Sequence, residues 1–370
     1  MVCMKTSRRR LLIGTCAASS FLARLRAASR GSFPSELKRF PDPATEFPMV
    51  RLTDPAHSSW LPSAASRFIS HKGNFLLYTA DRGSGCGLYR LDLKNGESNE
   101  VASGEAVAQR FAALTADDRN CCYADGDTLW TAPIQGMGVQ PRELYRSAEG
   151  WRRLSLTPAL TEDGTGVLWP EQRGQACRIR YISPMRATPA TTAVEFTEAL
   201  GEILPRPHRA GAMYRRGQDL WLLSYDGQQN YKLRIAPRPF FCPLWSADGR
   251  SLFYLSRPEP PGLVEIREFT PDTNEDRLVA KTTQFASFAR NTDASVFVGA
   301  SGSKASPYVM LLVRAVKREL TVAEHKTSEP AAAMPVFSPN SQRIYFESDR
   351  EGRHCIYSMA VEKLVEETAA

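Results

Sequence analysis

The chain has 370 residues, of which 42% are hydrophobic, and its 25 prolines and 24 glycines favour turns between short strands over long helices. The formal net charge of +7 comes from residues 1–30, which hold seven Lys and Arg residues and no Asp or Glu. The rest of the chain carries 40 basic and 40 acidic residues, a balance that argues against nucleic-acid binding.

Residues 1–30 are predicted to be an export signal. Ser7–Leu12 reads Ser-Arg-Arg-Arg-Leu-Leu, which resembles the twin-arginine motif, and a short apolar run from Leu11 to Ala23 follows. That run is shorter than the roughly 20 apolar residues that a membrane span needs, so no transmembrane segment is expected. We expect a periplasmic or extracellular protein; the alternative is an uncleaved basic amphipathic start.

A repeated unit dominates the remaining chain: an apolar anchor, a short turn, then an alternating strand. Six of its turns are centred at Gly73, Asp118, Gly164, Gly249, Asp293 and Ser341. They are 45, 46, 85, 44 and 48 residues apart, and the gap of 85 holds a further copy whose turn lies at Pro205–His208. Each unit has the length of about 40–45 residues expected for one four-stranded propeller blade.

The repeat predicts an all-β fold, a seven-bladed β-propeller of four-stranded antiparallel blades, over residues 48–370. Packing blades around a ring buries both faces of every sheet and leaves only short edges. Pro48–Thr53 is predicted to close the ring as the outer strand of the last blade. Residues 31–47 are then a proline-rich lead-in.

The starts of the inner strands of several blades should converge at one mouth of the central channel. The residues that precede these strands are candidates for binding a ligand: Gln109, Arg110, Arg152, Arg153, Gln284 and Ser287. His57 is expected to approach the same mouth, and Trp60 is a candidate for stacking on a sugar ring. Arg82 is a further candidate, although pairing with an Asp inside a blade hairpin is the favoured interpretation of its position.

Two levels of resemblance follow from these motifs. Tyr78–Gly83 and Phe346–Gly352 share a strand–Asp-Arg–Gly pattern that resembles the PD40 repeats of TolB-like propellers. A narrower resemblance is to the oligogalacturonate lyases, which cleave short galacturonate oligomers by β-elimination. It is carried by Arg51–Pro55, Thr283–Gly299, Ser306–Leu312, Glu324–Ser328 and Pro335–Pro339.

The resemblance implies a manganese site that this sequence does not retain. In that family, histidines and a glutamine hold the metal, which neutralises the enolate-like charge of the reaction. The matched positions here are Cys242, Ser287, Glu329, Ala332 and Met334. The chain has only five histidines, and neither these nor its cysteines show a spacing typical of a metal site. We therefore expect no metal and no cofactor.

Three functions are open at this point. The favoured one is a ligand-binding propeller, or pseudo-enzyme, that holds an acidic oligosaccharide or a peptide without cleaving it. The second is an active oligogalacturonide lyase in which Arg or Lys replaces the metal and Tyr or Arg acts as the base. The third is a periplasmic protein-interaction propeller, for which the sequence indicates no partner.

Overall fold

A computed structural model describes residues 31–83, 85–135, 140–154, 159–184, 188–258, 263–282, 284–362 and 364. Three short strands precede the ring: β1 (Ser32–Phe33), β2 (Lys38–Pro41) and β3 (Pro48–Arg51). The strands after them form seven antiparallel sheets that follow one another along the chain. The fold is therefore the predicted all-β, seven-bladed β-propeller. Among the described residues, no helix is long and apolar enough to cross a membrane.

The first three blades run from residue 58 to residue 196. Blade 1 holds β4 (Ser58–Trp60), β5 (Phe75–Asp81), β6 (Cys86–Asp92) and β7 (Ser98–Ser103). Blade 2 holds β8 (Val107–Leu114), β9 (Asn120–Asp125), β10 (Thr128–Pro133) and β11 (Arg142–Arg146). Blade 3 holds β12 (Arg152–Arg153), β13 (Ala159–Leu160), β14 (Val167–Arg173), β15 (Ala176–Ile182) and β16 (Thr191–Phe196). Because β12 and β13 both pair with β14, the inner strand of blade 3 is interrupted.

The other four blades complete the ring. Blade 4 holds β17 (Leu200–Pro205), β18 (Gly211–Arg216), β19 (Asp219–Ser224) and β20 (Asn230–Lys232). Blade 5 holds β21 (Phe241–Trp245), β22 (Leu252–Ser256), β23 (Val264–Thr270) and β24 (Glu275–Thr282). Blade 6 holds β25 (Phe285–Arg290), β26 (Val296–Ser301), β27 (Tyr308–Val313) and β28 (Arg318–Glu324). Blade 7 holds β29 (Val336–Phe337), β30 (Arg343–Ser348) and β31 (Cys355–Ala360), preceded by a short 3₁₀ helix at Pro330–Ala333.

The N-terminal strands close the ring. β3 pairs with β31 in blade 7, as predicted for Pro48–Thr53, and β2 adds beyond β3. The lead-in also contributes β1, which pairs with β7 of blade 1. The two end blades therefore gain short fifth strands, and a single N-terminal segment ties blade 7 to blade 1.

The repeated turn connects the inner strand of each blade to its second strand. In blade 5, the Ser246 hydroxyl accepts the backbone N–H of Ser251 at 2.9 Å, and Gly249 has a positive φ of 66°. In blade 6, the Asn291 side chain accepts the N–H of Val296 at 3.0 Å. The residue with positive φ in that turn is Ala294, one position after Asp293, on which the sequence pattern centred the turn. In both turns the left-handed residue stands three positions after the capping side chain. The turn inferred at Pro205–His208 is present, with His208 at a φ of 55°.

The core lies between the blades rather than at the axis. Each apolar cluster joins residues of neighbouring sheets; Phe253 and Phe297 of blades 5 and 6, for example, meet edge to face with ring centroids 5.3 Å apart. Both faces of the second strands are buried, as in β22 and β26. Inter-blade packing therefore fixes the ring and leaves the inner strands to line a central cavity.

Candidate functional site

The inner strands enclose a central cavity of about 810 Å³. The inner strands all begin at one face of the ring, called here the entry face, and end at the repeated turns on the opposite face, called the turn face. The inner strands of blades 4 to 6 form one part of the cavity wall. Residues within 331–339, which precede and begin blade 7, and residues 63–69 form the rest. The volume is typical of a small-molecule pocket.

Residues 61–68 form a segment, called here the crossing segment, that covers the inner strands of blades 2 and 3. Ser63 donates its N–H to the Arg110 carbonyl at 3.1 Å, and the Arg67 carbonyl accepts the N–H of Leu114 at 2.7 Å. The Ser66 hydroxyl reaches blade 3, where it accepts the N–H of Leu160 at 2.9 Å. The crossing segment therefore replaces these two inner strands in the wall of the cavity.

Three of the five matched metal positions meet in this cavity. Cys242, Ser287 and Met334 all line it. Glu329 is exposed before the 3₁₀ helix, and Ala332 lies outside the lining, where its neighbour Ala331 takes part instead. The structure thus brings Cys242, Ser287 and Met334 together in one cavity. It leaves Glu329 and Ala332 outside that cavity.

The backbone at these positions is locally distorted. The inner strands of blades 5 and 6 carry bulges between Phe241 and Leu244 and between Phe285 and Ser287. Cys242 and Met334 have positive φ values of 50° and 40°, which side chains other than glycine rarely adopt. Such distortion redirects side chains and concentrates where a fold presents functional groups.

The donor atoms at these positions do not fit manganese. The Cys242 thiol contacts the Ala286 carbonyl at 3.3 Å, and burial raises its pKa to about 11, so it stays protonated. Ser287 offers a neutral hydroxyl and Met334 a thioether, whereas Mn²⁺ prefers carboxylate, carbonyl and imidazole ligands. Within the described ranges, no three His, Cys, Asp or Glu side chains are grouped so that they could hold a metal ion.

A cation does lie beside one of these positions. Arg110 of blade 2 reaches across the entry end to blade 7, where its two terminal nitrogens donate to both Glu347 carboxylate oxygens at 2.6 and 2.9 Å. Its Nη1 also lies 3.1 Å from the Met334 sulfur. Glu347 is fully buried and accepts the N–H of Leu61 at 2.8 Å as well. The Arg110 charge is therefore matched by a carboxylate.

The other predicted mouth residues on the entry side stand outside the cavity lining. Gln109 is exposed on the β8 bulge, and Gln284 is exposed with its side-chain oxygen 2.9 Å from the Ser301 hydroxyl. Trp60 packs beside His354 with ring centroids 6.1 Å apart. His57 lies in the turn before β4, where its N–H bonds the Asp54 carbonyl. All four residues lie on or directly before the inner strands of blades 1, 2 and 6.

Three predicted arginines, Arg82, Arg152 and Arg153, also stand outside the cavity lining. Arg82 donates to Glu36 of the lead-in at 2.8 Å and stacks on Phe33 of the outermost strand β1, so it points to the rim of blade 1. Its partner is also not the Asp expected within its hairpin. Arg152 and Arg153 are drawn to the hairpin of blade 2, because Arg152 pairs with Asp127 at 2.7 Å and Arg153 bonds the Gly126 carbonyl at 3.0 Å.

Four charged residues line the cavity and were not predicted, namely Arg67, Glu162, Glu202 and Arg290. Glu202 lines the entry half and is held by Arg215 through bonds of 2.6–3.0 Å. Arg290 ends β25 at the turn face and donates to the Trp245 carbonyl at 2.6 Å. Glu202 and Arg290 lie on inner strands that the repeat located. Neither residue precedes its strand, where the ligand-binding residues were expected.

His325 is a structural residue. It is fully buried, its Nε2 donates to the Ser301 carbonyl at 2.9 Å, and its Nδ1 accepts the N–H of Thr327 at 3.1 Å. Both ring nitrogens are therefore used inside the junction between blades 6 and 7. Burial lowers the pKa of this imidazole, which holds it in the neutral form.

These observations define the class: a seven-bladed β-propeller with an axial cavity whose lining carries a thiol, a hydroxyl and a thioether. No family model matches the chain. The oligogalacturonide lyase of Pectobacterium atrosepticum is 20% identical over 384 residues, which cover 89% of this chain and 97% of that protein.

Two solved structures agree with that relative. An oligogalacturonate lyase in complex with manganese has a TM-score of 0.84 and 19% identity, covering 92% of this chain and 100% of that one. The oligogalacturonate lyase of Vibrio parahaemolyticus has a TM-score of 0.82 and 20% identity, covering 90% of this chain and 99% of that one. The resemblance inferred from the sequence is confirmed: the chain is a β-propeller that is similar to the oligogalacturonate lyases over most of its length.

Proposed function

We propose that this protein is an exported, ligand-binding member of the oligogalacturonate lyase-like propellers that does not carry out manganese-dependent elimination. The observation that supports this most directly is the donor set of Cys242, Ser287 and Met334, which line one cavity at the matched metal positions. A thiol, a hydroxyl and a thioether are a poor replacement for imidazole around Mn²⁺.

The chemistry of elimination gives a second argument. Removing the proton next to a carboxylate requires a base and a positive charge that stabilises the enolate-like product. The cation nearest the matched positions is Arg110, and its charge is already paired with the buried Glu347. No tyrosine lies among the described residues that line the cavity.

An acidic oligosaccharide or a peptide is the ligand proposed for the entry face. Gln109, Gln284 and Trp60, which lie on or directly before inner strands, carry polar or aromatic groups that suit a sugar or a peptide backbone. A periplasmic or extracellular location would bring the protein into contact with plant-derived oligouronates.

Incubation with saturated digalacturonate, with and without added Mn²⁺, tests the proposal. Elimination creates a conjugated double bond that absorbs in the ultraviolet, and the P. atrosepticum relative provides the positive control. We expect no absorbance increase from this protein in either condition, and a binding heat by calorimetry. Product formation that depends on Mn²⁺ would contradict the loss of metal chemistry, and the absence of binding would contradict the role as a ligand binder.

A lyase that uses arginine in place of the metal is the second candidate, and the position of Arg110 beside Met334 is the observation that favours it. This candidate predicts metal-independent product that disappears in Arg110→Lys. Lys keeps the positive charge but cannot donate two parallel bonds to the carboxylate. Product formation without added metal in the wild type is therefore the result that would favour this candidate over the first.

A further inference from the structure

Ser287 presents an unsatisfied hydroxyl to the central cavity. The residue is 8% exposed and lines the cavity, and its Oγ has no hydrogen-bond partner among the described residues. Buried hydroxyls are nearly always bonded, because an unpaired one loses its hydration without compensation. The bulge at Phe285–Ser287 holds this hydroxyl in place, so it is positioned to bond a ligand inside the cavity.

Arg290 presents a cation to the same cavity from the turn face. Its Nε and Nη1 donate to the carbonyls of Trp245, Asn291 and Thr292, at 2.6, 2.9 and 3.1 Å. Among the described residues, its Nη2 has no hydrogen-bond partner and no carboxylate forms an ion pair with it. Burial lowers the pKa of Arg290, and the charges of Glu162, Asp248 and Asp293 offset that effect only in part.

Much of the cavity lining besides these two groups is apolar, although Arg67 and Glu162 also belong to it. Ala289 and Val336 lie along it together with Leu244 and Met334, all in the cavity lining. Ser287 and Arg290 are three residues apart on one strand, which places their Cα atoms about 10 Å apart, and their side chains leave opposite faces of the strand before reaching the cavity. At the entry end, the Glu202 carboxylate opposes a second negative charge and contributes to raising the pKa of Cys242.

We infer that the central cavity binds an amphipathic monocarboxylic acid. Its carboxylate bonds Arg290 at the turn face, its apolar body fills the middle, and a hydroxyl or similar group about 10 Å away bonds Ser287. This inference rests on the proposed function, because it takes the propeller to be a ligand binder, and it goes beyond it by assigning the cavity a ligand distinct from the acidic oligosaccharide proposed for the entry face. A polyuronate, with a carboxylate on every sugar, would place charge on the apolar wall and beside Glu202.

Calorimetric titration of the full chain with three probes tests the inference. The probes are 8-hydroxyoctanoate, which spans about the required distance, octanoate, which lacks the hydroxyl, and 1,8-octanediol, which lacks the carboxylate. We expect 8-hydroxyoctanoate to bind most tightly, with a dissociation constant below about 1 mM. No binding of 8-hydroxyoctanoate in that range overturns the inference.

Two variants assign the contacts. Ser287→Ala should weaken 8-hydroxyoctanoate about fivefold and leave octanoate unchanged, because only the first probe reaches the hydroxyl. It should not lower the unfolding midpoint, since the hydroxyl has no partner to lose. Arg290→Gln should weaken both carboxylates about tenfold or more and leave 1,8-octanediol unchanged. Equal weakening of all three probes by either variant would indicate a structural role and overturn the assignment.

Digalacturonate distinguishes this inference from the broader proposal. Binding of digalacturonate without binding of 8-hydroxyoctanoate overturns the inference and leaves the proposed function standing. Binding of neither overturns both. Cleavage of digalacturonate together with tight binding of 8-hydroxyoctanoate overturns the proposed loss of activity but supports the ligand class of the cavity.

Discussion

Arg110 and Glu347 form the most consequential side-chain pair at the entry end of the cavity. They are 237 positions apart in the chain, and the carboxylate is fully buried. Burial raises the pKa of Glu347, and Arg110 opposes that rise by favouring the charged form. The pair therefore holds blade 2 against blade 7 while neutralising the charge nearest to the matched metal positions.

Removing Arg110 should destabilise the protein strongly. Arg110→Met leaves the Glu347 carboxylate buried with only the Leu61 N–H as a strong partner, and we expect a loss of about 3 kcal/mol in the free energy of unfolding. Urea denaturation measures it. Arg152→Met is the matched control, because Arg152 is 79% exposed and its ion pair with Asp127 should contribute less than about 1 kcal/mol. Equal losses in the two variants would refute the role assigned to the buried pair.

His325 predicts a pH dependence of stability. Its pKa is lowered in the folded state, so the unfolded chain binds a proton more readily than the folded chain does. The contribution of the neutral His325 to folding stability is complete above the ordinary histidine pKa of about 6.5. It is lost as the pH falls below that value. We expect the unfolding midpoint to drop between neutral and mildly acidic pH.

Substitution of His325 should change both the level and the slope of that profile. His325→Ala leaves the Ser301 carbonyl and the Thr327 N–H unpaired, at about 1–3 kcal/mol each, and should flatten the decline below pH 6.5. His57→Ala, in an entry-side turn, is the control and should keep the wild-type slope. An unchanged slope in His325→Ala would show that other groups cause the acid sensitivity.

At the scale of the element, the repeated turn is the feature that the sequence predicts best. Its capping side chain, left-handed residue and following strand lie within about six residues, so local chemistry alone determines it. The crossing segment is the opposite case. Its bonds join residues 47 to 94 positions apart, such as Ser63 with Arg110 and Ser66 with Leu160. No local pattern marks such contacts, which is why the wall of the cavity was predicted incompletely.

The hairpin between β27 and β28 offers a test of backbone conformation. Lys317 is exposed there with a positive φ of 51°. Lys317→Gly should raise the free energy of unfolding by up to about 1 kcal/mol, because glycine adopts this conformation without steric cost. Val316, its exposed neighbour, is not among the residues with positive φ, so Val316→Gly should lower stability instead. Thermal denaturation of both variants compares them, and the same sign of change in both would contradict the assigned turn.

At the scale of the whole molecule, seven similar units specify the ring, and the N-terminal segment closes it. The spacing of the turns was enough to predict the number of blades, including the one whose turn is hidden by two prolines. The resemblance to the lyases located Cys242, Ser287 and Met334, which meet in the cavity, because these positions are tied to the starts of inner strands. Arg82 and Arg152 stand outside the lining because acidic residues on neighbouring segments pair with them, and Arg153 stands outside it because its guanidinium bonds backbone carbonyls.

Closure of the ring predicts a large effect of truncation. A variant that begins at residue 54 lacks β1, β2 and β3, including Met49, which is fully buried against blade 7. Loss of that side chain alone removes about 2 kcal/mol of apolar burial, and the edge of β31 is left open. We expect a markedly lower unfolding midpoint than for a variant that begins at residue 31. Equal midpoints would show that the ring closes without these strands.

The claim on which the functional account depends is that the axis of this propeller no longer accepts manganese. A titration of the purified protein with Mn²⁺, followed by electron paramagnetic resonance, measures it directly, with the P. atrosepticum oligogalacturonide lyase as the comparison. We expect the signal of free aqueous Mn²⁺ to grow in proportion to the added metal from the first addition. If the signal instead stays suppressed up to one equivalent of Mn²⁺, the protein binds the metal. Loss of that suppression when Cys242, Ser287 and Met334 are changed to alanine would place the metal at the axis and contradict the claim.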